Sequence, residues 1–206
     1  MSTLADLRPG DIMFARHVSP RSADLLILAG QTLLGQAGYP HHVGVVTQAA
    51  QSITMIDCAD QMRQAANALH GPKIVQAMPH GAEEIEISEE HWTPDYIYLR
   101  PAYGNAPTYR HGGDFVAACA RRYIGTPYSF ADYVALAGWH FGIKNGPVRR
   151  YVTSSGHQIC SQLADQALAD AGFHVFDDGR LSQDVTPSAL YSRLLELGSE
   201  VIKPGG

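Results

Sequence analysis

Short runs of apolar residues, alternating or continuous, predict β-strands in the first half of the chain. The predicted strands cover residues 11–15, 42–47, 53–57, 73–77, 84–87 and 96–100. The first one follows the turn-forming sequence Arg8-Pro9-Gly10. Because residues 48–52 are few and mostly polar, the second and third strands are predicted to form a hairpin.

The second half of the chain changes to apolar residues at helical spacing. Helices are predicted at residues 114–124, 130–141, 160–171 and 187–197, besides a helix at 22–34 and a helical turn or two at 60–69. Thr186 and Pro187 suit the N-cap and the first turn of the last helix. Strands grouped ahead of helices indicate an α+β fold and not an alternating parallel sheet.

Composition favours one globular domain over the whole chain, residues 1–206. With 206 residues, 45% of them apolar, a buried core is possible and overall disorder is excluded. The net charge of −5 and the lack of a basic stripe argue against nucleic acid as a partner. The longest apolar runs, 25–30 and 133–143, are shorter than the ~20 residues of a membrane span. Residues 1–10 lack the apolar region of a secretory signal, so we expect synthesis in the cytoplasm without a signal peptide.

Cysteine and histidine spacing argues against disulfides and metal. The three cysteines, Cys58, Cys119 and Cys160, lie far apart and include no Cys-x-x-Cys pair. Among ten histidines only His41 and His42 are close neighbours, and adjacent strand residues face opposite sides. We therefore expect no metal site and no organic cofactor.

Cys160 is the candidate nucleophile. It opens a predicted helix whose apolar stripe continues through Leu163 and Ala164, so its thiol points inward at a helix N-terminus. The unpaired backbone N–H groups there stabilise a thiolate, which nucleophilic cysteines require. The alternative is that Cys160 only extends the apolar stripe, since free cysteine is among the most buried residues. This segment alone favours that alternative.

His42 and Asp57 are the candidate base and its orienting acid. His42 begins a strand, where its ring can lie at the rim of a sheet; the alternative is a solvent-exposed histidine. If the hairpin loop is residues 48–51, Thr47 pairs with Ser52, and the Cβ atoms of His42 and Asp57 lie about 5 Å apart. A loop one residue longer turns Asp57 to the other face. Asp57 is equally compatible with a turn-capping role.

Six segments together resemble NlpC-type papain-like proteins. Residues 7–14 resemble the L-x-P-G-D-hydrophobic opening, residues 42–46 the H-x-G-hydrophobic strand, residues 55–59 the hydrophobic-E-A strand and residues 159–163 the C-S-E-L helix start, with further similar segments at 125–128 and 185–190. The order histidine, acid, cysteine matches the circularly permuted branch, the YaeF/YiiX-like amidases. This chain departs from the pattern at Asp57 and Gln162, where glutamate is common.

The resemblance implies a permuted papain-like fold with a small antiparallel sheet packed against helices. It makes Cys160, His42 and Asp57 a catalytic triad that cleaves an amide bond through a thioester acyl-enzyme, without metal or cofactor. Three further residues are candidates for the cleft, although plain packing or surface exposure explains them equally well: Tyr39, Tyr128 and Gln158, the last as a second oxyanion donor.

The wider family implies cell-wall peptides as the substrate. A peptidoglycan target and the missing signal peptide are reconciled if the protein is a toxin effector or phage-type protein delivered to the periplasm or a target cell, with delivery machinery or an immunity protein as partner. Two alternatives stay open. One is a lipid acyl hydrolase or acyltransferase with the same triad, its apolar segments 25–34 and 133–143 near the site. The other is a binding module that has kept the fold without the chemistry.

Overall fold

Strands form a single antiparallel sheet in the part of the chain that the structure describes. This computed structural model describes residues 2–16, 40–50, 71–78, 80–103, 112–127 and 160–204. The six strands are β1 (Ile12–Ala15), β2 (His42–Gln48), β3 (Lys73–Met78), β4 (Gly81–Glu86), β5 (Tyr96–Arg100) and β6 (Glu200–Ile202). Their order across the sheet is β4-β3-β2-β1-β5-β6, and neighbouring strands run antiparallel. β2 is therefore an inner strand, flanked by β1 and β3.

Three α-helices within the described ranges complete the α+β fold. They are α1 (Gly112–Arg121), α2 (Cys160–Asp170) and α3 (Pro187–Glu196). Thr186 caps α3 as predicted, because its hydroxyl accepts a hydrogen bond from the backbone N–H of Ala189 at 3.2 Å. None of the helices in the described ranges is long and apolar enough to cross a membrane.

Most sequence-predicted elements that fall on described residues are confirmed. The strands predicted at 11–15, 42–47, 73–77 and 96–100 and the helices at 114–124, 160–171 and 187–197 agree with the structure to within a few residues. The strand predicted at 84–87 instead runs from Gly81 to Glu86, because β3 turns back directly and pairs Met78 with Gly81. β6 was not predicted, since three residues give no recognisable pattern. The elements predicted at 22–34, 53–57, 60–69 and 130–141 lie outside the described residues.

The predicted pairing of β2 with residues 52–57 is wrong. One edge of β2 pairs with β1, from His42 opposite Ala15 onward, and the other edge pairs with β3, with Gly44 opposite Gln76. A strand has only two hydrogen-bonding edges, so the hairpin register that set Asp57 against His42 is not available. Asp57 itself lies outside the described residues, and its role stays a prediction.

The sheet carries apolar residues on both faces. The larger core joins the sheet to the helices and includes Ile12, Phe14, Val43, Val45, Val75, Leu99, Val116, Ala120, Leu163, Ala167, Leu190 and Leu194. A smaller core fills the opposite face, with Leu7, Met13, Val46, Ile74, Ile87, Tyr98 and Ile202. Both α1 and α2 contact β2. The start of α2 is thereby fixed relative to the strand that His42 begins.

The Pro-Gly-Asp turn before β1 has a structural role. Gly10 adopts φ +86°, and an added Cβ there lies 2.4 Å from the Cα of Gly113, so the turn packs directly on the start of α1. The Asp11 carboxylate accepts hydrogen bonds from the backbone N–H of Arg8 at 2.8 Å and from two guanidinium nitrogens of Arg100 at 2.9 Å. This buried ion pair ties the turn to β5.

Candidate active site

His42 is the first residue of β2, at the rim of the sheet. Because side chains alternate along a strand, Val43 and Val45 enter the helix-side core while Gly44 faces the other side of the sheet. At the end of the strand, the ring of His42 contacts both Gln76 on that other side and Cys160 at the start of α2. His42 is half-buried. Gln76 on β3 lies directly opposite Gly44 and therefore shares this face. The register makes His42 and Gln76 diagonal neighbours, a separation that a long side chain spans.

Gln76 holds the imidazole of His42. The distance between Nε2 of His42 and Oε1 of Gln76 is 2.8 Å, and only 6% of Gln76 is exposed. An amide oxygen only accepts, so Nε2 of His42 carries the proton in this bond. Nδ1 is then the ring nitrogen left to exchange a proton with a nucleophile. Gly44, between them in the register, carries no side chain that could obstruct this contact.

Cys160 meets the same imidazole from the start of α2. Its thiol is hydrogen-bonded to His42 and also faces the backbone N–H groups of Val43 and Ser161. Burial acts to raise the pKa of the Cys160 thiol, but the hydrogen bond and charge of His42, together with these two N–H groups, lower it overall. These contacts stabilise the thiolate, which is the form in which a cysteine acts as a nucleophile.

The end of the β2–β3 ladder explains how Val43 can contribute. The paired residues of these strands begin with Gly44 opposite Gln76. The N–H of Val43 lies one residue beyond this pairing and is directed at the Cys160 sulfur. This backbone N–H, at the rim of the sheet, therefore donates to the Cys160 sulfur and not to a neighbouring strand.

A second histidine lies on the same side of the sheet. Burial lowers the pKa of His91, the nearby Glu90 opposes that shift, and the charge of His42 adds to it. Nδ1 of His91 lies 3.1 Å from the Ser88 hydroxyl, and its ring meets Tyr96 edge-on with centroids 5.6 Å apart. Tyr96 and His42 flank Ala15 on neighbouring strands. His91 and Tyr96 therefore place two polar, aromatic side chains near His42.

The structure brings together two of the sequence-predicted site residues. Cys160 and His42 contact each other, whereas Asp57, Gln158, Tyr128 and Tyr39 lie outside the described residues. Sequence reasoning missed Gln76. Two signals could have found it: it is the one amide in the apolar run Ile74-Val75-Gln76-Ala77, and this run fits the hydrophobic-acid-Ala pattern if an amide replaces the acid.

The described residues contain no group of three or more His, Cys, Asp or Glu side chains placed to hold a metal ion. The chemical groups that they bring together are the Cys160 thiol, the His42 imidazole and the Gln76 amide, each in contact with the next. In comparisons with family models and with curated proteins, the chain matches no family model and has no significant match among the curated proteins.

Proposed function

We propose that this protein is a cysteine hydrolase of the permuted papain-like kind, with Cys160 as nucleophile, His42 as base and Gln76 as the residue that orients His42. The observation that carries the proposal is the row of contacts itself. The Cys160 thiol is hydrogen-bonded to an imidazole whose far nitrogen is held 2.8 Å from the Gln76 amide oxygen. A buried cysteine with only a packing role needs neither partner.

The proposed reaction has two halves. Nδ1 of His42 takes the Cys160 proton, and the thiolate attacks the carbonyl carbon of an amide, forming a carbon–sulfur bond. The tetrahedral intermediate collapses when His42 returns that proton to the departing amine, which leaves a thioester on Cys160. Water, deprotonated by His42, then attacks the thioester, and the acid leaves while Cys160 regains its proton. The backbone N–H of Cys160 at the helix start is the proposed oxyanion donor.

Gln76 performs the part of the third residue without a formal charge. Its oxygen fixes the imidazole in the tautomer that presents Nδ1 to the thiol, and it accepts from Nε2 throughout the cycle. In this scheme Asp57 is not needed to hold Nε2. Whether Asp57 adds charge stabilisation to His42 stays a prediction to be tested beside Gln76.

The proposed substrate is an amide bond of a cell-wall peptide. This proposal rests on the resemblance to NlpC-type proteins, and the Cys160–His42 pair supplies the chemistry that the substrate needs. It includes delivery to the periplasm or to a target cell. The protein is then expected to be toxic when it is directed to the periplasm and harmless in the cytoplasm.

Trapping the acyl-enzyme tests the proposed reaction. Purified protein is mixed with muropeptides and quenched in acid, and the mass of the Cys160 peptide is measured. We expect an acyl adduct on Cys160, and we expect Cys160→Ala to lose hydrolysis by at least about a thousandfold. Cys119→Ala is the matched control and keeps the wild-type rate. Undiminished hydrolysis by Cys160→Ala is the result that overturns the proposal.

A further inference from the structure

Ser161 links the first turn of α2 to the segment that precedes α3. Its side chain is fully buried, with 0% exposed, and its hydroxyl donates a hydrogen bond to the backbone carbonyl of Val185 at 2.7 Å. The acceptor lies 24 residues further along the chain. Serine in a helix usually bonds to backbone groups of its own turn. This bond is instead a tertiary link between two elements.

The same residue supplies a donor to the candidate nucleophile. The backbone N–H of Ser161 is directed at the sulfur of Cys160. The direction of that N–H depends on how the first turn of α2 is oriented, because its peptide plane turns with the helix. A fixed hydroxyl bond on the same residue therefore constrains the donor that faces the thiolate.

We propose that Ser161 is a positioning residue for Cys160: its hydroxyl bond to Val185 aligns the first turn of α2 so that the N–H of Ser161 points at the sulfur. The inference rests on the proposed function, since it takes Cys160 as the nucleophile. Thr186, the next residue after Val185, caps α3 and bonds to Ala189 without serving the thiol. Thr186 thus adjoins the residue that Ser161 binds, but its hydroxyl has a different partner, which makes Thr186 a matched control.

The test measures the alkylation rate of Cys160 against pH in the full-length protein, together with the thermal unfolding midpoint. Because the lost link is one hydrogen bond, we expect Ser161→Ala to lower the rate near pH 6 about fivefold and to move the pH midpoint upward. Ser161→Thr keeps the hydroxyl and is expected to keep the wild-type midpoint. Thr186→Ala is expected to lower the unfolding temperature and leave the pH midpoint unchanged.

Two results overturn the inference. One is a Ser161→Ala profile that coincides with the wild type while stability falls, which makes Ser161 a structural residue only. The other is an equal shift in Ser161→Ala and Thr186→Ala, which indicates general loosening. Failure of the proposed function looks different: the wild-type profile itself then lacks a low midpoint, or that midpoint does not depend on His42.

Discussion

Cys119 and Cys160 are two free, buried cysteines whose surroundings shift their thiol pKa values in opposite directions. Both lie on helices that contact β2, with 3% and 8% of their surfaces exposed. Burial raises the pKa of Cys119, and the carboxylate of Asp170 adds to that rise. Burial acts on Cys160 in the same sense, yet His42 and two backbone N–H groups lower its pKa overall. The neighbours of Cys160 therefore reverse the upward pKa shift that burial alone would give, whereas at Cys119 burial sets the direction although Arg122 opposes it.

Position along the helices accounts for part of the contrast. Cys160 is the first residue of α2, where the partial charge of the free N–H groups is positive, and Cys119 lies in the last turn of α1, where it is negative. Asp170, which acts on Cys119, is the last residue of α2. A single helix thus favours the thiolate at one end and opposes it at the other. A buried cysteine is a candidate nucleophile only in the first setting.

The largest expected effect is the difference in alkylation between the two cysteines of the wild-type protein. A thiol with the ordinary pKa of ~8.5 is only about 0.3% thiolate near pH 6. The lowered pKa of Cys160 raises that fraction, while the weaker nucleophilicity of such a thiolate cancels part of the gain. We therefore expect iodoacetamide to modify Cys160 at least about tenfold faster than Cys119 near pH 6, as measured by peptide mass spectrometry.

The midpoint of each pH profile is the sharper measurement. Restricted access slows alkylation by the same factor at every pH and leaves the midpoint where it is. The pH midpoint of the Cys160 profile should therefore be lower than that of Cys119, because the pKa of Cys160 is lowered and that of Cys119 is raised. A common midpoint for both cysteines removes the contrast and, with it, the main support for a nucleophile at Cys160.

Replacing His42 should reduce the difference in alkylation between Cys160 and Cys119 without abolishing it. His42→Ala removes the hydrogen bond and the charge that lower the pKa of Cys160, while the N–H groups of Val43 and Ser161 remain. We expect the Cys160 midpoint to rise toward that of Cys119 and its rate near pH 6 to fall about tenfold. The measurement is the same alkylation profile, read for both cysteines in one sample.

His41→Ala is the control for that substitution. His41 precedes His42 and is also half-buried, so it matches the lost volume and chemistry closely. It should leave both profiles in place. An unchanged Cys160 midpoint in His42→Ala, or an equal shift in His41→Ala, means that His42 is not the specific partner of the thiol.

The candidate nucleophile and the candidate base could be picked out from sequence because each has a local signature. Cys160 begins an amphipathic helix, and His42 begins an apolar strand, and both features survive in the structure. Their contact is not local. It depends on how α2 packs against β2. The only indication of this packing in the sequence was the order of the motifs in the NlpC-type resemblance. The resemblance itself stays a prediction, and spacing alone does not place these two residues together.

The partner of His42 on Nε2 could not be predicted in the same way, because strand pairing decides it. The sequence pattern favoured the nearest following strand, whereas β2 pairs with β1 and β3. β1 and β3 are separated from β2 by long segments, and no short turn fixes their register. Gln76 reaches His42 only through the pairing of Gly44 with Gln76. The overall α+β class was predictable, since it depends on the grouping of elements and not on register.

The smallest expected effect concerns Gln76 and decides between the two candidates for the third residue. Gln76→Ala removes the oxygen that holds Nε2 of His42 at 2.8 Å, one hydrogen bond in a buried setting. We expect about a five- to tenfold loss in kcat/KM and a smaller shift in the Cys160 midpoint than His42→Ala gives. Gln76→Glu keeps an acceptor in place and should retain most of the activity.

Glu83 and Asp57 complete that experiment. Glu83 lies directly opposite Gln76 on β4 and binds His80 at 2.8 Å, so Glu83→Ala tests whether disturbing this position of the sheet is enough to lower the rate. It should leave kcat/KM unchanged. Asp57→Ala measured beside Gln76→Ala separates the two assignments, since a carboxylate that stabilises imidazolium contributes charge that an amide lacks. A large loss of kcat/KM in Asp57→Ala, with none in Gln76→Ala, assigns the third position to Asp57 and leaves Gln76 a packing role. The reverse pattern supports Gln76, the amide that the sheet register brings to His42.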